Sequence, residues 1–124
     1  MLLAVSQSIG LETGDTPRIA TGFGGGVGGA GSLCGALVGA VMAVGLKHGR
    51  SSMGDDPGAA RTRSQKILRD FRGEMGTDLC LELTGMDIST PEGAQAFHDS
   101  DVPERVCRKC VLTAARLAEE QLGS

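Results

Sequence analysis

Residues 22–46 read GFGGGVGGAGSLCGALVGAVMAVGL, which is 25 consecutive positions without a charged side chain. Ten of these residues are glycine and one is cysteine, Cys34. Three structures could explain such a stretch: a glycine loop that binds a phosphate, a glycine-rich helix that crosses a membrane, or a loop that shapes the surroundings of Cys34. The choice among them decides both the fold and the function.

The sequence around the glycines lacks the features that a phosphate-binding loop requires. Gly24, Gly26 and Gly29 match the spacing of the dinucleotide-binding fingerprint, but that fingerprint requires a preceding strand and a βαβ unit. No strand pattern precedes the glycines, and no Gly-Lys-Ser/Thr follows them, so a P-loop is excluded as well. Dense glycine produces such matches by chance.

A membrane span is also disfavoured. Gly31, Gly35 and Gly39 repeat the spacing that lets helices approach closely in lipid. The helical part, residues 33–46, has only 14 residues, whereas a span needs about 20. The same small-residue face suits a buried helix in a globular domain. Gly35→Leu is therefore expected to be strongly destabilising, because it forces a large side chain into a packed contact between helices.

The rest of the chain predicts further helices. Helix-start signals and helical spacing of apolar residues recur along the sequence, with Ser32 as the expected N-cap of the helix over 33–46. The other expected helices cover residues 1–9, a short segment capped by Thr16, 59–76, a short segment capped by Thr77 or Asp78, 90–97 with its start at Thr90, and 103–122. The sequence predicts an all-α fold: one small helical domain over 1–124, with a glycine-rich loop leading into a central helix and a flexible internal loop over 49–58.

The composition limits the partners and the compartment. The formal net charge is −3, and the chain has three Phe and no Trp or Tyr, so neither a positive field nor stacking aromatic side chains favour nucleic acid. The first residues lack the basic region and long apolar run of a signal peptide. We therefore expect a cytoplasmic protein that does not bind nucleic acid.

Four cysteines carry the expected chemistry. In a reducing compartment they are more often redox-active or metal-bound than part of a permanent disulfide framework. With Ser32 as N-cap, Cys34 would lie in the first helical turn, with no acidic residue near it in the sequence, where free N–H groups stabilise a thiolate. Cys80 is expected at another helix start. Cys107 and Cys110 form a C-x-x-C pair with basic neighbours, which favour thiolates.

Three segments resemble a known family. ATGFGGGVGGAGSLCGALVGAVMAVGLKHG, FRGEMGTDLCLELTGMDISTPEG and VCRKCVLTAARLAEEQL occur in order and are similar to the redox-active proteins named after their C_GCAxxG_C_C cysteine pattern. The resemblance implies a small helical protein that works through four cysteines and is often encoded near transport genes. It places the site at Cys34, Cys80 and Cys107.

Two departures from that pattern concern the sulfur atoms. The family's first cysteine precedes a stretch like MLLAVSQSIGL, where this chain begins with Met1. Either the start is truncated or that sulfur is lost. Cys110 stands where the family usually has an aliphatic residue, so it either substitutes for the missing sulfur or is an incidental core residue. We include Cys110 as a candidate site residue on the C-x-x-C spacing.

The leading functional prediction is thiol–disulfide redox chemistry through the clustered cysteines Cys34, Cys80, Cys107 and Cys110, in the manner of a thiol–disulfide oxidoreductase. The alternative is a module in which the same four cysteines bind zinc or an iron–sulfur cluster. A further alternative is a helical interaction protein beside a membrane transport protein.

The cofactor is not defined by the sequence. The expected partners are a redox partner or a membrane transport protein, with a homodimer as a further option. His48 and His98 are expected to be surface residues rather than ligands.

We expect the four sulfur atoms to converge despite their separation in sequence. Cys34 should be the most reactive thiol. Cys107 should follow, helped by Arg105, Arg108 and Lys109. Cys110 should be inert, because it shares an apolar helix stripe.

Overall fold

The computed structural model describes residues 1–11 and 13–123. Within them the chain forms seven α-helices: α1 (Leu2–Ser8), α2 (Thr16–Ala20), α3 (Gly35–His48), α4 (Gly58–Met75), α5 (Cys80–Thr84), α6 (Pro91–Asp99) and α7 (Arg108–Leu122). A 3₁₀ turn follows α2, and one π-helical turn, Pro103–Cys107, leads into α7. The β pairing in the described residues is a single bridge between Leu33 and Leu79. The all-α prediction is confirmed.

The central helix is α3, as predicted, because it packs against α1, α4 and α7. Its buried residues are mostly small: Leu37, Gly39, Ala40, Ala43 and Val44. Phe71 of α4 is the largest fully buried side chain and belongs to the same core. Small side chains on α3 let the surrounding helices approach closely, so a chain with few aromatic residues still fills its core.

The start of α3 differs from the prediction. Its N-cap is Cys34 and not Ser32. The Cys34 N–H donates to the Asp78 carbonyl at 2.8 Å, and the Cys80 N–H donates to the Ser32 carbonyl at 2.7 Å. This antiparallel pairing between distant segments places Ser32 before the helix start, so its side chain does not cap α3.

Smaller differences affect three other helix starts. The N-cap of α5 is Leu79, and Thr77 instead accepts a hydrogen bond from the Leu79 N–H at 3.2 Å. Asp15, rather than Thr16, is the N-cap of α2. The predicted helix over 103–122 divides into the π turn and α7. In contrast, Thr90 caps α6 as predicted by accepting from the Gly93 N–H at 3.0 Å.

The glycine-rich loop is a run of left-handed backbone. Residues 25–29 all have φ between 64° and 72°, including Val27 at 67°. Non-glycine residues pay roughly 1–2 kcal/mol for this conformation, which explains why glycine dominates the segment. The Ser32 N–H donates to the Gly26 carbonyl at 2.8 Å, which holds the end of the loop against its start. The loop thereby positions the residues that follow it to pair with residues 78–81.

The remaining predictions on organisation concern α3 and the segment after it. None of the helices in residues 1–11 and 13–123 has both the length and the apolar character that a bilayer crossing requires.

The connection after α3 ends where α4 begins at Gly58, and its flexibility stays a prediction.

Two glycines of α3 provide a matched test of close packing. A Cβ added at Gly35 would lie 2.6 Å from the Phe23 carbonyl oxygen, whereas one added at Gly45 meets nothing within 4 Å. We expect Gly35→Ala to lower the free energy of unfolding by about 2 kcal/mol or more. Gly45→Ala should raise it by about 0.5–1 kcal/mol, because alanine favours a helix interior. Urea unfolding of both variants measures the difference, and equal effects would show that the 20–24 segment yields freely.

Candidate functional site

All four cysteines line one cavity of about 330 Å³. Its remaining side chains are almost all apolar, with Met1, Leu2, Ala20, Phe23, Ala36, Met42, Leu83, Ile88, Phe97, Val106 and Val111 on its walls and Thr84 as a polar exception. Backbone of the glycine-rich loop supplies a further wall, at Gly24, Gly25 and Gly26. The structure therefore brings the four sequence-predicted cysteines to one place.

The elements explain how these distant cysteines meet. Cys34 ends the glycine-rich segment and caps α3, and Cys80 is the first residue of α5. The pairing of residues 32–34 with 78–80 places these two helix starts side by side. Cys107 ends the π turn, and Cys110 lies in the first turn of α7, which packs against α3.

Cys34 and Cys110 are the two buried cysteines of the site. Their exposed fractions are 8% and 3%, and both belong to the main hydrophobic core. The interaction between the two thiols is the largest influence on both groups. The pKa of Cys34 is lowered from 9.0 to about 6, and the pKa of Cys110 is raised. The interaction thus favours the thiolate at Cys34 and the protonated thiol at Cys110.

Three further groups act on the Cys34 thiolate. Burial opposes ionisation, but the backbone N–H groups of Leu37 and Ala36 in the first turn of α3 lower the pKa. The carboxylate of Asp78 raises the pKa, which corrects the expectation that no acidic group lies near Cys34. Asp78 is itself paired with Arg72 at 2.6 Å.

Cys80 and Cys107 are half-buried and have higher pKa values than ordinary thiols. Burial is the main cause of both raised pKa values. The charges of Cys107 and Cys34 add to the effect on Cys80, and the charge of Cys34 adds to the effect on Cys107. The basic neighbours do not offset this effect, contrary to expectation. Arg105 and Arg108 are exposed and pair with Asp101 at 3.1 Å and Glu104 at 3.6 Å.

The donor set gives no support for a bound metal ion. In residues 1–11 and 13–123, no group of three or more His, Cys, Asp or Glu side chains is arranged to hold one, and the four cysteines are free. The cavity walls include neither His48 nor His98. Burial lowers the pKa of His48, with Arg63 and Lys47 adding to the effect.

The interaction of Cys110 with Cys34 could not be predicted from the sequence. The burial of Cys110 and the direction of its pKa are as predicted, and the interaction with Cys34 is the largest cause of the raised pKa. The available signal was the C-x-x-C spacing together with the apolar stripe, which placed Cys110 on the inward face of its helix. The sequence could not show which sulfur it would meet.

The pKa values predict the order of thiol alkylation. With the uncharged reagent iodoacetamide, the labelling rate of Cys34 should rise with pH and level off above a midpoint near 6, because the thiolate is the nucleophile. Cys80 and Cys107 should show no plateau below their ordinary midpoint of 9.0, since burial raises both values. Peptide mass spectrometry after timed quenching reads each position. Labelling of Cys110 before Cys34 at neutral pH would reverse the assignment.

One comparison with known proteins identifies the family of this chain. The sequence profile of a family described as "Putative redox-active protein (C_GCAxxG_C_C)" matches residues 1–121, nearly the whole chain. No curated protein and no solved structure matches the chain. The match extends from the start of α1 to one residue before the end of α7 and includes all four cysteines of the cavity. The chain therefore belongs to the C_GCAxxG_C_C family.

Proposed function

We propose that this protein carries out thiol–disulfide exchange with Cys34 as the nucleophile and Cys110 as the resolving thiol. The observation that carries the proposal is the position of these two buried cysteines, which line the same cavity where α7 packs against α3. The lowered pKa of Cys34 favours a reactive thiolate, and the raised pKa of Cys110 favours a protonated thiol. This division of roles is what a two-step exchange requires.

The two steps balance as follows. The Cys34 thiolate attacks one sulfur of a substrate disulfide, forming a mixed disulfide and releasing one substrate thiolate, which takes a proton from water. Cys110 then loses its proton and attacks the Cys34 sulfur, releasing the second substrate half as a thiol. The protein pair is oxidised to a Cys34–Cys110 disulfide, and one substrate disulfide is reduced to two thiols.

Charge coupling supports a change in Cys110 between the two steps. In the reduced protein the negative Cys34 sulfur is the main reason that Cys110 keeps its proton. Once Cys34 is in a mixed disulfide, this interaction and this charge are gone. The pKa of Cys110 then falls towards the value set by burial alone, so the resolving thiol becomes reactive only after the first step.

Cys80 and Cys107 are proposed as the second dithiol of the site. Both line the same cavity and interact electrostatically with Cys34. Their raised pKa values make them slower nucleophiles than Cys34 near neutral pH. They are therefore placed to receive a disulfide from the first pair, rather than to attack the substrate. A redox partner or a membrane transport protein would supply or remove the electrons.

Limited oxidation tests the proposal. Anaerobically purified, fully reduced protein is treated with one equivalent of diamide, which accepts two electrons and two protons, and is then alkylated and mapped by mass spectrometry. The proposal predicts a disulfide between Cys34 and Cys110 as the first product. A first disulfide that excludes Cys34 or Cys110 would contradict it. Metal analysis of the same preparation tests the alternative, since stoichiometric zinc or iron on these thiols would favour a metal-binding module.

A further inference from the structure

The walls of the cavity define which substrates reach the Cys34 thiolate. Apart from the cysteines, the lining residues drawn from residues 1–11 and 13–123 include no Asp, Glu, Lys, Arg or His. The polar exception, Thr84, is engaged within the chain, because its hydroxyl donates to the Cys80 carbonyl at 2.9 Å. The walls therefore offer no side chain that would pair with a charged group.

The apolar walls come from several elements. Phe23 follows α2, Met42 lies on α3, Ile88 precedes α6, and Phe97 lies on α6. Val111 of α7 is 38% exposed and lies at the mouth of the cavity. A volume of about 330 Å³ is near the lower end of the roughly 300–1,000 Å³ typical of small-molecule sites.

We infer that the substrates of this site are small, uncharged, predominantly apolar disulfides. The inference rests on the proposed exchange at Cys34 and extends it to a substrate class. An uncharged disulfide gains from contact with the apolar walls. A substrate carrying carboxylates or ammonium groups must give up their hydration without receiving a partner, which is costly in an apolar site. Charged thiols and their disulfides are thus excluded by the cavity rather than by the sulfur chemistry.

A matched set of reagents tests the inference. Reduced protein is mixed with dithiodipropionate, with its dimethyl ester and with the dication cystamine, and the rate of thiol release is divided by that of free mercaptoethanol with the same reagent. This ratio removes differences in intrinsic reactivity. We expect the ester to be favoured over the dicarboxylate by at least about 100-fold. Cystamine should also be disfavoured relative to the ester, although a thiolate alone would attract it.

Two lysine variants separate the cavity from general charge effects. Val111→Lys adds a positive charge at the mouth, whereas Leu112→Lys adds the same charge at the next residue, which is 61% exposed and does not line the cavity. Val111→Lys should speed the reaction with the dicarboxylate about fivefold to tenfold and slow cystamine. Leu112→Lys should leave both rates close to those of the unmodified protein. Circular dichroism confirms that each variant is folded.

The outcomes distinguish the substrate class from the proposed function. Equal normalised rates for all three reagents, with the Cys34–Cys110 disulfide formed in each case, would overturn the substrate class and leave the exchange intact. An equal response of the two lysine variants would also overturn the role of the cavity walls. If no reagent produced a disulfide that includes Cys34, the proposed function would fail and the substrate class with it.

Discussion

Cys34→Ser is expected to lower the rate of exchange with an uncharged disulfide at pH 6 by at least about 20-fold and to abolish the intramolecular product. At this pH about half of Cys34 is thiolate, against about 0.1% for a thiol at the ordinary value of 9.0. This is an advantage of about 500-fold. The Cys34 thiolate is intrinsically about 30-fold less reactive than a thiolate of pKa 9.0, because nucleophilicity falls with pKa, so about a 20-fold advantage in rate remains.

Two matched variants complete the kinetic test. Cys80→Ser should keep the rate of the first step within about twofold, because Cys80 is not the thiolate. Cys110→Ser should stop the reaction after the first step, so that Cys34 accumulates as a mixed disulfide with half of the substrate. Stopped-flow rates and intact-protein mass spectra measure the two stages. A Cys34→Ser protein that still reacts at the original rate would assign the first attack to another sulfur.

Gly26→Ala is expected to be the most destabilising single change in the glycine-rich loop. Its φ is +72°, and an added Cβ would lie 2.6 Å from both the Cys80 Cβ and the Ser32 N atom. The left-handed backbone and the overlap together should lower the free energy of unfolding by about 3 kcal/mol or more. Because the overlap is with Cys80 itself, the change would also push apart the two segments that carry Cys34 and Cys80.

Gly28 offers the matched control for this prediction. It has a similar φ of +64°, but an added Cβ meets nothing within 4 Å. Gly28→Ala should therefore cost only the backbone term, about 1 kcal/mol. Urea unfolding gives both values, and the alkylation profile of Cys34 reports whether the site is disturbed. Equal destabilisation by the two substitutions would mean that the loop does not pack tightly against Cys80.

The helices and the glycine-rich loop could be predicted because their signals are local. Thr90-Pro91 is a helix start in any context, and a dense run of glycine permits a left-handed loop. The start of α3 could not be predicted in this way. Ser32 is a good N-cap by local preference, but the pairing of residues 32–34 with 78–80 takes precedence. That pairing joins segments 46 residues apart, and local sequence does not encode its register.

The sequence could predict which residues form the candidate site, but not which of their side chains interact. The spacing of the four cysteines and the family resemblance identified Cys34, Cys80 and Cys107, and C-x-x-C added Cys110. Which thiols influence one another depends on how α7 packs on α3, and this is a tertiary contact. The effect of Asp78 on the pKa of Cys34 could not be predicted for the same reason, because the pairing of distant segments brings this carboxylate close to the thiol.

A redox titration of the reduced protein tests whether Cys34 and Cys110 act together as one dithiol. Anaerobic protein is equilibrated over a series of ratios of mercaptoethanol to its uncharged disulfide, quenched with acid, alkylated and mapped by mass spectrometry. We expect a reversible two-electron transition in which Cys34 and Cys110 lose and regain their label together, separate from any transition of Cys80 and Cys107. Labels on Cys34 and Cys110 that stay constant across the whole series would contradict it.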